Sequence, residues 1–158
     1  MSRLPTLGPR GEGWVAIQAG LLLAIGLAGV AAQVEPWPFI PEFTVVGIVL
    51  LVAGGLLAVR GIVDLRDALT PLPHPRDDAQ LVVSGSYRLV RHPIYGGLVI
   101  GAAGYGIVSH SLLAIAGSLV LLAFFTLKSG REEAWLREKF EGYEAYAART
   151  RRMIPFVY

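Results

Sequence analysis

PIYGGLVIGAAGYGIVSHSLLAIAGSLVLLAFFTL, residues 93–127, runs for about 35 residues without a Lys, Arg, Asp or Glu. As one helix it would be about 52 Å long, far beyond the ~30 Å hydrocarbon core of a bilayer. Its polar point is the middle, Ser109-His110-Ser111. The stretch therefore reads as two short spans, 94–108 and 112–127, joined by a tight turn into a helical hairpin. Gly97 and Gly101 form a small-xxx-small pair, and Gly104 adds another small position, so helix backbones can approach closely here. A hairpin returns the chain to the face it left. Whatever precedes Pro93 can thus meet whatever follows Leu127.

Upstream, residues 14–34 are another uncharged apolar run, about 21 residues long. That is longer than the apolar core of a signal peptide, and no A-x-A site closes it convincingly, so it is expected to stay in the chain as a span. A break follows at Glu35, Pro36, Trp37, Pro38, Pro41 and Glu42. Prolines so close together cannot continue a helix, and Trp37 suits a membrane interface. The next span is 43–62, passing Arg60 if that side chain snorkels. Residues 63–92 are the long polar segment, with Pro71, Pro73 and Pro75, and read as an irregular loop with a helical turn at each end. In the tail, 128–158, Trp135, Leu136, Phe140, Tyr143 and Ala147 fall on one helical face, while Glu138, Lys139, Glu141 and Arg149 fall elsewhere. This spacing predicts a separate amphipathic helix from Lys128 to about Arg152.

Composition agrees with lipid as the solvent. The 158 residues are 54% hydrophobic and only 16% charged, against about a quarter charged in soluble domains. Cysteine is absent, which excludes disulfides, a thiol nucleophile, S-palmitoylation and thiolate metal sites; no metal is expected. Every Lys and Arg lies in the N-terminal tail, in the Arg60–Arg91 region or in the C-terminal tail. Both termini are therefore expected on the cytoplasmic side. The sequence pI of 9.2 follows from that topology, and nucleic-acid binding is not expected. The expected fold is an all-α, multi-pass integral membrane protein of one domain, 1–158. It has about four transmembrane helices plus the cytoplasmic amphipathic C-terminal helix.

Two polar clusters flank the hairpin. One is Gly85-Ser86-Tyr87-Arg88-Leu89-Val90-Arg91-His92-Pro93-Ile94-Tyr95-Gly96, and the other is Glu132-Glu133 with the tyrosines and arginines after them. Each residue alone has an ordinary explanation. Pro93 suits the first position of a helix, and the arginines suit positive-inside anchors. Tyr87 and Tyr95 suit an aromatic belt, and the glutamates suit the start of a helix.

Taken together, and in this order, they resemble the isoprenylcysteine carboxyl methyltransferases and the related phospholipid N-methyltransferases. That family carries G-x-Y-x-x-x-R-H-P-x-Y-x-G, met by Gly85, Tyr87, Arg91, His92, Pro93, Tyr95 and Gly97. After a hydrophobic hairpin it carries E-E-x-x-L-x-x-x-F-x-x-Y-x-x-Y, met by Glu132, Glu133, Leu136, Phe140, Tyr143 and Tyr146. An R-x-x-P-type ending is met by Arg152, Ile154 and Pro155. Where the family often has Phe-Gly, Glu141 lies between Phe140 and Gly142, which reads as a glycine shifted within a turn. The resemblance covers residues 81–156, which would form the cofactor-binding half.

It implies a methyltransferase using S-adenosyl-L-methionine at the cytoplasmic membrane face. No G-x-G-x-x-G follows a strand, as expected for the membrane type rather than a Rossmann enzyme. By the same resemblance Tyr87, Arg91, His92, Pro93, Tyr95, Glu132 and Glu133 would bind the cofactor. Being adjacent on a helix, Glu132 and Glu133 point about 100° apart, so one is expected to face the ligand. The acceptor would be a lipophilic small molecule or a lipid-anchored group among membrane lipids. An isoprenylcysteine-like carboxylate needs only an orienting cation, with Arg149, Arg151 or Arg152 as candidates. A lipid amine must lose a proton, with His92 or Glu133 as candidates. Glu133, Arg149 and Arg152 are thus the candidate catalytic residues. Eukaryotic members of that family have additional spans. The expected location is a bacterial or archaeal inner membrane. The competing readings are a non-catalytic assembly or oligomeric transport protein, and a transporter. The latter is disfavoured by the lack of ionisable residues near mid-membrane.

Overall fold

The computed structural model describes residues 5–32, 41–70, 72–75, 78 and 80–157. Within these residues the chain is helical, without strands: α1 (Glu12–Ala31), α2 (Pro41–Leu65), α3 (Pro93–Val108), α4 (Leu112–Lys139) and α5 (Tyr143–Ala147). Single turns of 3-10 helix, Arg66–Ala68 and Gly85–Arg88, begin and end the polar loop as expected. The break at Glu35, Pro36, Trp37 and Pro38 lies outside the described residues.

Helices α1, α2 and α4 are each long and apolar enough to cross a bilayer, and α3 is a shorter apolar helix of 16 residues. Large side chains such as Leu23, Leu27, Val49, Leu56, Leu113 and Leu119 point outward, each at least 60% exposed. Aliphatic surface of this extent needs lipid around it, which makes this a membrane protein.

The hairpin forms as expected. Helix α3 ends at Val108, His110 takes a left-handed conformation (φ 54°), and Ser111 caps α4 by accepting from the Ala114 amide at 3.1 Å. Gly106 faces its own partner in the hairpin, at Ile115 of α4, but the three glycines named above do not. Gly97, Gly101 and Gly104 meet α2, where Gly47 and Gly54 stand seven residues apart. A Cβ at Gly54 would lie 2.6 Å from the Gly97 carbonyl, and one at Gly104 would lie 2.6 Å from the Gly47 carbonyl. The two helices therefore touch backbone to backbone in antiparallel fashion, because only hydrogen atoms lie between them. Helix α1 closes the other side. Trp14 packs on Phe124 (centroids 5.7 Å apart), Tyr105 donates to the Gly26 carbonyl (2.8 Å) and Ser111 to that of Ala28 (3.0 Å).

One expectation is corrected. No separate amphipathic helix spans Lys128 to Arg152. Helix α4 runs unbroken for 28 residues, from Leu112 through Leu127 to Lys139. It is about 42 Å long, so its last turns project past a ~30 Å core. Nothing between Leu127 and Lys139 punctuates a helix strongly, and the fall in hydropathy at Lys128 marks a change of surroundings rather than of backbone. The chain turns only at Phe140, which is extended, and Gly142, before the short α5. Gly142 does sit in that turn, as the shifted glycine was expected to.

Candidate active site

The loop before α3, the projecting end of α4 and the segment after α5 meet at one end of the bundle. Two devices fix the first of these. Asp64, on the last turn of α2, accepts from the amide (2.7 Å) and the hydroxyl (2.9 Å) of Ser86. Gly85 makes that contact possible: its φ is +61°, and a Cβ there would run into the Asp64 carboxylate. The second device is a parallel pairing of Val90 with Arg151. The amides of Arg91 and His92 donate to the carbonyls of Arg151 and Arg152, each at 2.9 Å. Met153 is fully buried behind this pairing, with its carbonyl against Gly96.

Pro93 opens α3, where its missing N–H costs nothing. That places Arg91, His92 and Tyr95 beside the two glutamates of α4. Glu133 is 2% exposed and gathers the cations. One of its oxygens accepts from Arg91 Nε (3.0 Å) and contacts His92 Nε2 (3.1 Å), with Arg152 Nε at 3.5 Å; the other takes Arg137 at 3.2 Å. Arg91 also donates to the carbonyls of Ala147 (2.8 Å) and Thr150, tying the tail to the cluster. Glu132 points differently. It accepts from the Tyr95 hydroxyl (2.8 Å) and stands 3.7 Å from His92 Nδ1. The Tyr95 ring lies stacked between His92 (centroids 5.3 Å apart) and Phe125 (4.4 Å apart).

A cavity of about 320 Å³ opens beside this arrangement. Tyr87, Arg91, His92, Tyr95 and Glu132 line it, as do Lys128, Tyr143 and Tyr146, and its remaining walls are mostly apolar, from α2, the polar loop and α4. Glu133 is not among the lining residues, so the adjacent glutamates divide: one on the wall, one behind it. Arg152 stands behind the wall with Glu133, and Pro93 supports it from the helix start. Arg149 is exposed and donates to the Ala145 carbonyl one turn back; the structure does not bring it to the cavity. Arg151 contributes backbone only to the pairing and is also exposed.

Burial keeps the tyrosines protonated. It pushes the phenols of Tyr87 and Tyr143 well above the ordinary range and that of Tyr146 up to about 12. Tyr146 donates to the Tyr87 carbonyl at 2.7 Å. The buried Tyr143 hydroxyl has no hydrogen-bond partner among the described residues. Several polar wall residues carried no cofactor or catalytic role in the sequence reading, among them Gln18, Lys128, Tyr143 and Tyr146. For Lys128 a signal existed, since it lies four residues before Glu132 and a helix puts such pairs on one face.

Residues 43–142 match the family described as Phospholipid methyltransferase. A rice protein (Oryza sativa subsp. indica) named probable protein-S-isoprenylcysteine O-methyltransferase is 34% identical over 116 residues, covering 71% of this chain and 61% of the rice protein. Protein-S-isoprenylcysteine O-methyltransferase B of Arabidopsis thaliana is 30% identical over 115 residues, 70% of this chain and 58% of that protein. The protein-S-isoprenylcysteine O-methyltransferase of Schizosaccharomyces pombe is 37% identical over 82 residues, 51% of this chain and 35% of its own. The chain thus spans about three fifths of the length of the plant relatives. With the family match running from the second helix through the turn after α4, the chain belongs to the phospholipid methyltransferase family.

Proposed function

We propose that this chain is an S-adenosylmethionine-dependent methyltransferase acting at the cytoplasmic membrane face on a lipophilic acceptor. That acceptor is an isoprenylcysteine-like carboxylate or a lipid amine. The observation that carries the reading is the convergence of Arg91, His92, Tyr95 and Glu132 on one largely apolar cavity at the end of the bundle. Family membership and the printed names of the relatives support it.

The residues fit the cofactor. S-adenosylmethionine carries a carboxylate, an ammonium, a sulfonium, ribose hydroxyls and an aromatic base. The cavity offers a guanidinium from Arg91, a carboxylate from Glu132 and the orphan hydroxyl of Tyr143, with apolar walls from Leu69, Leu72 and Leu136. When bound, the cofactor supplies an electrophilic sulfonium methyl. Arg91 would meet the methionine carboxylate and Glu132 the ammonium. Glu133 would act as a positioning residue, holding Arg91 and His92 in place, with Arg152 on its other side. The apolar walls would exclude water, which methyl transfer between held reactants requires. For an amine acceptor, His92 is the candidate to take the proton; for a carboxylate no base is needed.

The same reading takes α1 to α4 as four crossings of a single domain, with both termini cytoplasmic, because all the Lys and Arg residues lie toward that side in the sequence. Calorimetric titration of detergent-purified protein with S-adenosylhomocysteine tests the function. Micromolar binding is expected, weakened about tenfold, or roughly 1.4 kcal/mol, in Glu132→Gln. A well-folded protein that binds none of it defeats the proposal.

A further inference from the structure

We propose that Lys128, with Gln18, forms the acceptor-binding end of the cavity and takes an ionised acid group of the lipophilic acceptor. The assignment rests on the methyltransferase reading above and chooses between the two acceptor chemistries left open there.

Lys128 is 1% exposed, yet it lies on the cavity wall. Its ammonium donates to the Gln18 side-chain carbonyl at 2.6 Å. It also stands 5.0 Å from the centre of the Tyr95 ring and 6.0 Å from that of Phe125. Among the described residues no carboxylate comes within ion-pair distance of it. An ammonium has three donors, and a neutral amide occupies one. A lysine that only anchored α4 would extend its stem toward water. This one is held inward, among rings, where a cation is costly; Glu132 one turn away attracts it only from beyond ion-pair distance, so an anion from outside the chain would complete its pairing.

The position suits an acceptor rather than the cofactor's methionine end. Lys128 stands one helical turn before Glu132, about 6 Å nearer the apolar part of α4. Glu132 can face a cationic donor while Lys128 faces an anionic acceptor, so opposite charges on the two ligands would be set side by side. A headgroup entering from lipid would reach the deeper position, on the level of Gln18 in α1. Arg91, the other strong cation on the wall, already bonds Glu133 and two tail carbonyls through Nε and Nη1, and what it has left would go to the cofactor's carboxylate.

The test uses the full chain in lipid nanodiscs and two probes, N-acetyl-S-farnesylcysteine and its carboxamide, with S-adenosylhomocysteine titrated separately. The wild type should bind the acid at least about tenfold more tightly than the carboxamide. Lys128→Met should erase that preference while leaving S-adenosylhomocysteine binding within about twofold, and Lys128→Arg should retain most of it. Should Lys128→Met lose its folded melting transition, Gln18→Glu decides. It gives the ammonium an internal carboxylate and should abolish acid binding in the same way. Equal binding of acid and carboxamide by the wild type, or undiminished acid binding by these variants, overturns the assignment. Failure of S-adenosylhomocysteine to bind falls on the methyltransferase reading instead, and the acid–carboxamide comparison still decides the role of Lys128.

Discussion

Helix α3 is held at its middle by glycines and at its first turn by charges. In the seam with α2, Gly97 and Gly104 meet Gly54 and Gly47 with no side chain between the backbones. At the other place, Glu133 gathers Arg91, His92, Arg137 and Arg152. Lipid tails give helices no hydrophobic reason to associate, so the seam relies on dispersion over a close fit. The ion cluster relies on charges whose removal from water is repaid only while the set is complete. The seam should therefore fail in proportion to the atoms added, and the cluster all at once when its centre goes.

Substitutions at three positions probe that contrast. The largest effect is expected from Glu133→Ala, which leaves Arg91 and His92 facing each other over an empty centre. A destabilisation of about 3–5 kcal/mol is expected, read as a fall in melting temperature in detergent together with release of the tail to proteolysis. Gly54→Leu comes next. Its side chain has no room against the Gly97 carbonyl and the Gly101 backbone, so about 1–3 kcal/mol should be lost. Gly54→Ala should lose less, but its Cβ alone would run into the Gly101 amide nitrogen, so an alanine variant as stable as wild type would contradict a close-fit seam. The smallest is Arg149→Ala. Among the described residues this exposed side chain bonds only the Ala145 carbonyl one turn back, so both stability and S-adenosylhomocysteine binding should stay within about 0.5 kcal/mol of wild type. A large drop in binding would return Arg149 to the site.

The two regions were not equally legible in the sequence. The hairpin was plain, because an uncharged run too long for one crossing has to turn, and Ser109-His110-Ser111 offered the place. The meeting of the Arg91–Tyr95 segment with Glu132 and Glu133 followed from the hairpin, and Pro93 at the helix start fixed its phase. The seam was only half visible. Gly97 and Gly104 could be picked out, but their partners Gly47 and Gly54 are small residues in the uncharged stretch 43–59 of α2, where hydropathy carries no phase. The continuity of α4 was hidden for a related reason. Charge counting at Lys128 marks where surroundings change, whereas the helix ends where Phe140 and Gly142 break the backbone. The Val90–Arg151 pairing joins two irregular segments far apart in the chain, and no local periodicity announces it.

That pairing also sets a clock. Arg91 bonds the carbonyl of Thr150, which lies 59 residues further along the chain. At ordinary synthesis rates of about 5–20 residues per second, roughly 3–12 s separate the two on the ribosome. Helices α3 and α4 are made within that interval, while the arginine that will hold the tail has nothing to hold. The transmembrane scaffold can thus be threaded into the bilayer before its cavity has a finished wall. The part of that wall made by Tyr143 and Tyr146 is held in place only once Thr150 has followed them and the tail docks on Arg91.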